Sequence, residues 1–205
     1  MTLESRFGGK VMHFRVGTFA RAVLLAFLLG PLPALPASAA DFDLARLKEG
    51  GYVVLLRHVK AGGSDSDEFD LQDCRTQRQV GKAGRAQGAL LAGRFRAAGI
   101  AEARVLSSQF CRALQTAELL DLGPVTEESA LNYFHWKLGG EAEMNAAIRR
   151  LFAEMDPPAV PLVLVSHSHA FVALGQKKPP SGGGLVLRPN GTDRPEVAGT
   201  ISAPE

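Results

Sequence analysis

Arg57-His58, Ser107-Ser108 with Arg112, and Ser166-His167-Ser168-His169 place side chains able to attack, to move protons or to hold an anion directly after apolar runs. Imidazole titrates close to neutrality, so it can serve as nucleophile, base or metal ligand. A guanidinium offers a planar fork that matches two oxygens of one anion. A lone His after a strand is ordinarily a satisfied structural group, but two of them at the same end of one sheet are not explained that way. Arg112 stands at the start of a predicted helix, where a basic side chain opposes the helix dipole. An anion held jointly by that side chain and by the free N–H groups of the first turn accounts for it. A second chemistry uses the same residues: His167 and His169, two apart, could join His58 and a loop Asp around a metal that activates water. No carboxylate at ligand spacing stands out for it, and Arg57 and Arg112 would repel a cation. His169 can instead bond to backbone.

These residues need elements to hold them. Tyr52–Leu56, Arg104–Ser107 and Pro161–Val165 are short apolar runs rich in β-branched residues, the pattern of strands buried on both faces. Helical spacing of apolar positions runs from about Val80 to Ala98, closed by Gly99, and again over Cys111–Leu120 and Glu141–Met155, the last stopped by Pro157-Pro158. Leu44–Leu47 makes a helical turn or two ended by Gly50-Gly51, and Ala170–Leu174 a short helix; 61–70 is a polar loop and 121–140 has no clear form. Leu185–Leu187, Asn190-Gly191 and the run through Val197 and Ile201 predict an antiparallel hairpin turning at Asn-Gly. Strands alternating with helices and ending on a hairpin predict an α/β fold, a three-layer sandwich with a mostly parallel central sheet and a C-terminal antiparallel hairpin. In such sheets ligands bind beyond the carboxyl ends of the strands, which is where the three segments fall.

The chain has 205 residues, 46% of them hydrophobic, with 23 basic and 21 acidic residues and two Cys. Disorder and a disulfide-built scaffold are excluded by those proportions. Arg6, Lys10, Arg15 and Arg21 against the single acid Glu4 put the positive excess into residues 1–40, so the rest is near neutral and nucleic-acid binding has no support. The same stretch has the run Ala22–Leu29, the break Gly30-Pro31 and the small residues Ala37-Ser38-Ala39-Ala40, and reads as a signal peptide. Its apolar run is shorter than the roughly 20 residues that span a bilayer. Cleavage after Ala40 gives Asp41 as mature start, with Ala39 the alternative, and Met12 as true start gives a conventional signal length. Residues 41–205 are then one catalytic domain, periplasmic or secreted, without stable membrane insertion; an uncleaved amphipathic anchor is the other reading. Cys74 and Cys111, 37 positions apart, form an even pair in an oxidising compartment, and a disulfide there would tie the loop Asp73–Arg78 to the anion pocket. Arg75 and Arg78 either extend that pocket or are exposed loop charges.

Taken in order, Leu56-Arg57-His58, then Ser107-Ser108-x3-Arg112-x3-Thr116-Ala117-Glu118, then Val165-Ser166-His167 resemble the histidine phosphatase superfamily, which includes the phosphoglycerate mutases. Asp73–Arg78 and Gly183–Leu187 are similar to an exported branch of lipopolysaccharide core heptose phosphatase-like proteins. The resemblance implies a phosphoglycerate mutase-like fold and a phosphomonoesterase needing neither metal nor other cofactor, acting on a small phosphorylated substrate such as a phosphosugar. His58 would take the phosphoryl group as phosphohistidine, while Arg57, Arg112, protonated His167 and Ser108 surround its oxygens. Family members draw the leaving-group proton from a Glu after the second motif or an Asp directly after the second His. Here Ser168 occupies the latter position and Leu131–His135 the former region; of the nearby Glu127, Glu128, Glu141 and Glu143, Glu128 fits by position. Mutase activity is disfavoured by export and by the small size of the body. A non-catalytic phosphate- or phosphoglycan-binding protein is the alternative.

Overall fold

The computed structural model describes residues 41–205 together with Gly8 and Gly9. The segment read as a signal peptide otherwise lies outside the described residues.

Among the described residues eight strands and four α-helices follow one another. A six-stranded sheet has the order β5 (Val125–Glu127), β4 (Arg104–Ser107), β6 (Leu162–Ser166), β1 (Val53–Arg57), β7 (Gly184–Arg188), β8 (Glu196–Ile201). The first four of these run parallel, and β7 and β8 are antiparallel additions on the other edge. Both faces are covered, and the alternation of side chains along each strand shows how. Val54, Leu56, Val105, Val163 and Val165 pack with Leu91 and Phe95 of α1 (Lys82–Ala97) and Ala113, Ala117 and Leu120 of α2 (Cys111–Leu120). Val53, Leu55, Leu106, Leu162 and Leu164 pack on the opposite side with Ile148 and Phe152 of α3 (Glu141–Ala153) and with Phe171 of α4 (Ser168–Ala173). The predicted three-layer α/β sandwich is therefore present. No described helix is long and apolar enough to cross a membrane.

The differences from expectation have local causes. Val80 does not open a helix; it pairs with Ala61 where β2 (Ala61–Gly62) meets β3 (Gln79–Val80), and α1 begins two residues later. β5 lies in the stretch without a clear form because, as an edge strand of half-buried and exposed residues, it has no apolar run to announce it. Asn190 does not turn a two-residue hairpin: β7 and β8 are joined through residues 189–195, and its side chain accepts the Thr192 N–H (3.1 Å) inside that longer loop.

One close approach fixes the chain just beyond His58. A Cβ on Gly84 of α1 would stand 2.0 Å from the Lys60 carbonyl oxygen, so only glycine lets the helix lie against that segment.

Candidate active site

Parallel strands β1, β4 and β6 end side by side, which brings the three chemical segments together. Backbone bonds fix the chain after β1 on both sides: His58 N–H donates to Ser166 (2.9 Å), and Val59 N–H donates to the Thr116 hydroxyl (3.1 Å). That hydroxyl donates in turn to the Arg112 carbonyl (2.6 Å) one turn earlier in α2, so Thr116 ties the first segment to the second.

His58 is 5% exposed, and its Nδ1 lies 2.8 Å from the Val59 carbonyl oxygen. A carbonyl can only accept, so Nδ1 carries the proton and Nε2 of the neutral ring keeps its lone pair. Burial lowers its pKa to about 4, with Arg112, Arg57 and Arg78 pushing the same way against the Val59 bond. The ring is therefore neutral at pH 7 with one nitrogen bare, the state of a nucleophile. His167 lies edge-on to it with ring centroids 5.2 Å apart. Ser108 Oγ donates its single proton to Asn132 Oδ1 (3.0 Å), so the 2.9 Å contact between Ser108 and His167 Nε2 makes His167 the donor. The Asn132 amide is held the right way round because its oxygen also accepts the Gln109 N–H (2.8 Å). Burial, then Arg112 and His58, push the pKa of His167 well down. It is neutral in the free site and would gain a proton only opposite an anion.

Arg112 is 1% exposed, stacked on Phe110 at 4.5 Å, and burial lowers its pKa only to about 10, so it stays charged. Its Nη1 donates to Asp65 (3.2 and 3.4 Å), while its Nε is buried without an acceptor. Arg57 donates from Nη1 to the Pro179 carbonyl (2.9 Å), and its Nε too is buried without an acceptor. Arg78 joins this group: its field reaches Arg57, His58, Arg112 and His167 alike, and it stands 3.7 Å from Asp65. The backbone N–H groups at the start of α2 are partly spent, since Cys111 N–H donates to Gln77 Oε1 (3.0 Å) and Ala113 N–H to Phe110 (2.8 Å).

The remaining expected residues stand elsewhere. Arg75 is exposed and paired with Asp73 at 2.7 Å. Glu128 accepts the Ala130 N–H (2.9 Å) and so caps a short 3-10 turn, and Glu127 accepts from Gln109 (3.1 Å). Glu141 and Glu143 lie in the first turn of α3. Cys74 and Cys111 are joined in a disulfide with Cα atoms 5.7 Å apart, beside Arg112 as expected. His169 bonds neither to a neighbour nor to a shared metal position: both ring nitrogens are buried without a hydrogen bond of normal geometry, and burial lowers its pKa to about 4 with only partial opposition from the Asn132 backbone. Among the described residues no group of three His, Cys, Asp or Glu is placed to hold a metal ion. Asp65 was missed from sequence, being one of several acids in a polar loop with no distinguishing spacing.

No protein-family model matches the chain, and no curated protein matches it in sequence. Solved structures do. The protein histidine phosphatase SixA complexed with tungstate is 18% identical, with 74% of this chain and 96% of that one covered and a TM-score of 0.51. Mycobacterial glucosyl-3-phosphoglycerate phosphatase Rv2419c complexed with VO3 is 17% identical, covering 74% and 99%, with a TM-score of 0.56. TTHB049 from Thermus thermophilus is 18% identical over 74% and 99%, with a TM-score of 0.53. What these likenesses establish is the fold: a mostly parallel six-stranded sheet with an antiparallel pair, the phosphoglycerate mutase-like architecture of these phosphatases.

Proposed function

We propose that the chain is an exported phosphomonoesterase acting through a phosphohistidine on His58, without a metal. The observation that carries this reading is the pairing of a neutral His58, its Nε2 bare, with two guanidiniums, Arg112 buried and Arg57 half-buried, whose buried Nε–H groups lack an acceptor. Buried donors are almost always satisfied, and a tetrahedral dianion has the oxygens to satisfy these. The chain would bind a monoester with its phosphorus before His58 and its oxygens on Arg57, Arg112 and Arg78. Nε2 attacks phosphorus as the ester P–O bond breaks, and water then cleaves the P–N bond, so one hard displacement becomes two easier ones. The guanidiniums supply the positive charge that the transfer demands. Two solved neighbours are phosphatases holding an oxyanion, tungstate in one and VO3 in the other, which supports the reading. The signal-like head and the Cys74–Cys111 disulfide support export, and the likeness of Asp73–Arg78 and Gly183–Leu187 to lipopolysaccharide core heptose phosphatase-like proteins favours a small phosphosugar.

The test expresses the full chain in a Gram-negative host. It should be recovered from the periplasm beginning at Asp41, hydrolyse p-nitrophenyl phosphate in the presence of chelator, and yield an acid-labile, base-stable phosphoenzyme on rapid quenching. His58→Ala should lower turnover at least about 1,000-fold and abolish the trapped species. Phosphate binding without turnover or trapping would point instead to a phosphate- or phosphoglycan-binding protein, and full activity in His58→Ala would end the nucleophile assignment.

A further inference from the structure

We propose that Asp65 supplies the proton to the leaving oxygen, an assignment that rests on the phosphatase reading above. An alkoxide is a poor leaving group, so cleavage of an alkyl phosphate at neutral pH calls for an acid in the site. Among the described residues Asp65 is the one carboxylate with oxygens on the buried arginine of the pocket. The alternatives are engaged elsewhere: Glu127 with Gln109, Glu128 as a backbone cap.

The geometry on Arg112 is what makes Asp65 suitable. Its carboxylate takes Nη1 and leaves the buried Nε–H without a partner. A phosphoryl group on the Nε edge would therefore sit beside Asp65 on the same guanidinium. Two anions sharing one cation repel, and a proton taken up by the carboxyl relieves that repulsion. Asp65 is also held in place and open to water. The Arg78 N–H donates to Oδ1 (2.8 Å), Arg78 Nε lies 3.7 Å from Oδ2, and the carboxyl keeps 24% exposure, enough to exchange protons with solvent. In the first step the carboxyl O–H gives its proton to the ester oxygen as P–O breaks and His58 Nε2 bonds to phosphorus. In the second, the carboxylate takes a proton from water as the water oxygen bonds to phosphorus and the P–N bond breaks, which restores both residues and releases phosphate.

Leaving-group dependence separates an acid from a merely structural loop residue. Dinitrophenolate departs without a proton, whereas glycerol does not. Rapid-quench measurement of phosphohistidine formation in a single turnover, with 2,4-dinitrophenyl phosphate and with glycerol 2-phosphate, should show Asp65→Asn slowing the glycerol ester about 100-fold or more. The dinitrophenyl ester should change by less than about 3-fold, which also shows that the variant is folded. The same slowing on both esters, or none on the glycerol ester, overturns the assignment while leaving the phosphatase reading standing. A parent protein that forms no phosphohistidine from either ester overturns the phosphatase reading and this assignment with it.

Discussion

Arg112 keeps a full charge where solvent cannot reach it, at 1% exposure and with one carboxylate on one edge. Such a buried cation is costly unless its donors are met, and an anionic ligand meets those that Asp65 leaves. Lysine would keep the charge and lose the fork, so Arg112→Lys separates charge from geometry. The expected result is a fall in kcat/KM on p-nitrophenyl phosphate of about 100-fold, with the urea midpoint nearly unchanged. A loss under about 3-fold would mean that charge alone suffices. Arg57, His58, Arg112 and His167 were legible in the sequence because each directly follows a strand or opens a helix, so local pattern fixes its place. Arg75 and Arg78 were not separable by pattern: three residues apart in one loop, they are sent to solvent and to the pocket by the path of the backbone. Asp65 was illegible for the same reason, since only the fold of 61–80 shows which of its acids meets Arg112.

That loop is held by bonds of its own, such as Ser66 N–H to the Thr76 carbonyl (2.9 Å) and Arg78 N–H to Asp65 (2.8 Å), and by what it is tied to. Its two-residue strands pair only Ala61 with Val80 and Gly62 with Gln79. Between them, Gln77 bonds the Asp70 carbonyl (2.8 Å) and receives the Cys111 N–H, and the disulfide closes a loop 37 residues long onto α2. Closing a loop of that length restricts the unfolded chain by about 4 kcal/mol in the entropic account. Cys74→Ser should lower the urea-unfolding free energy by about that amount. It should also lower kcat/KM, because Asp65 and Arg78 ride on the released segment, while the glycerol-to-dinitrophenyl rate ratio shifts toward that of Asp65→Asn. Unchanged stability would show that Gln77 and the short strand pair suffice. At this scale the sequence showed what is apolar and periodic: the three buried strands and three long helices fall within a few residues of expectation. β5 and the 189–195 connection escaped because most of their residues meet solvent, where pattern carries little information.

At the scale of the whole molecule, three imidazoles among the described residues are buried at the ends of β1 and β6, and all three are pushed toward the neutral form. Their combined effect on stability has a definite sign. In the unfolded chain each His takes up its proton near pH 6.5, while in the folded protein His58 and His169 do so near pH 4 and burial holds His167 well below 6.5. Between those limits the unfolded state binds more protons, so stability rises with pH; it is fully present above about 6.5 and lost as the pH falls toward 4. A shift from 6.5 to about 4 corresponds to about 3 kcal/mol for each of His58 and His169. A domain typically has only about 5–15 kcal/mol in all. The histidines that suit the pocket to an anion therefore make the fold acid-labile. Urea midpoints measured from pH 7.5 down to 4.5 should hold steady at first and then fall steeply below about 6.5. His169→Phe, which removes one titrating ring away from the arginines, should flatten that slope by about one proton. A midpoint constant across the range would show that the folded imidazoles take up their protons at the same pH as the unfolded ones, and so that burial does not hold them in the neutral form.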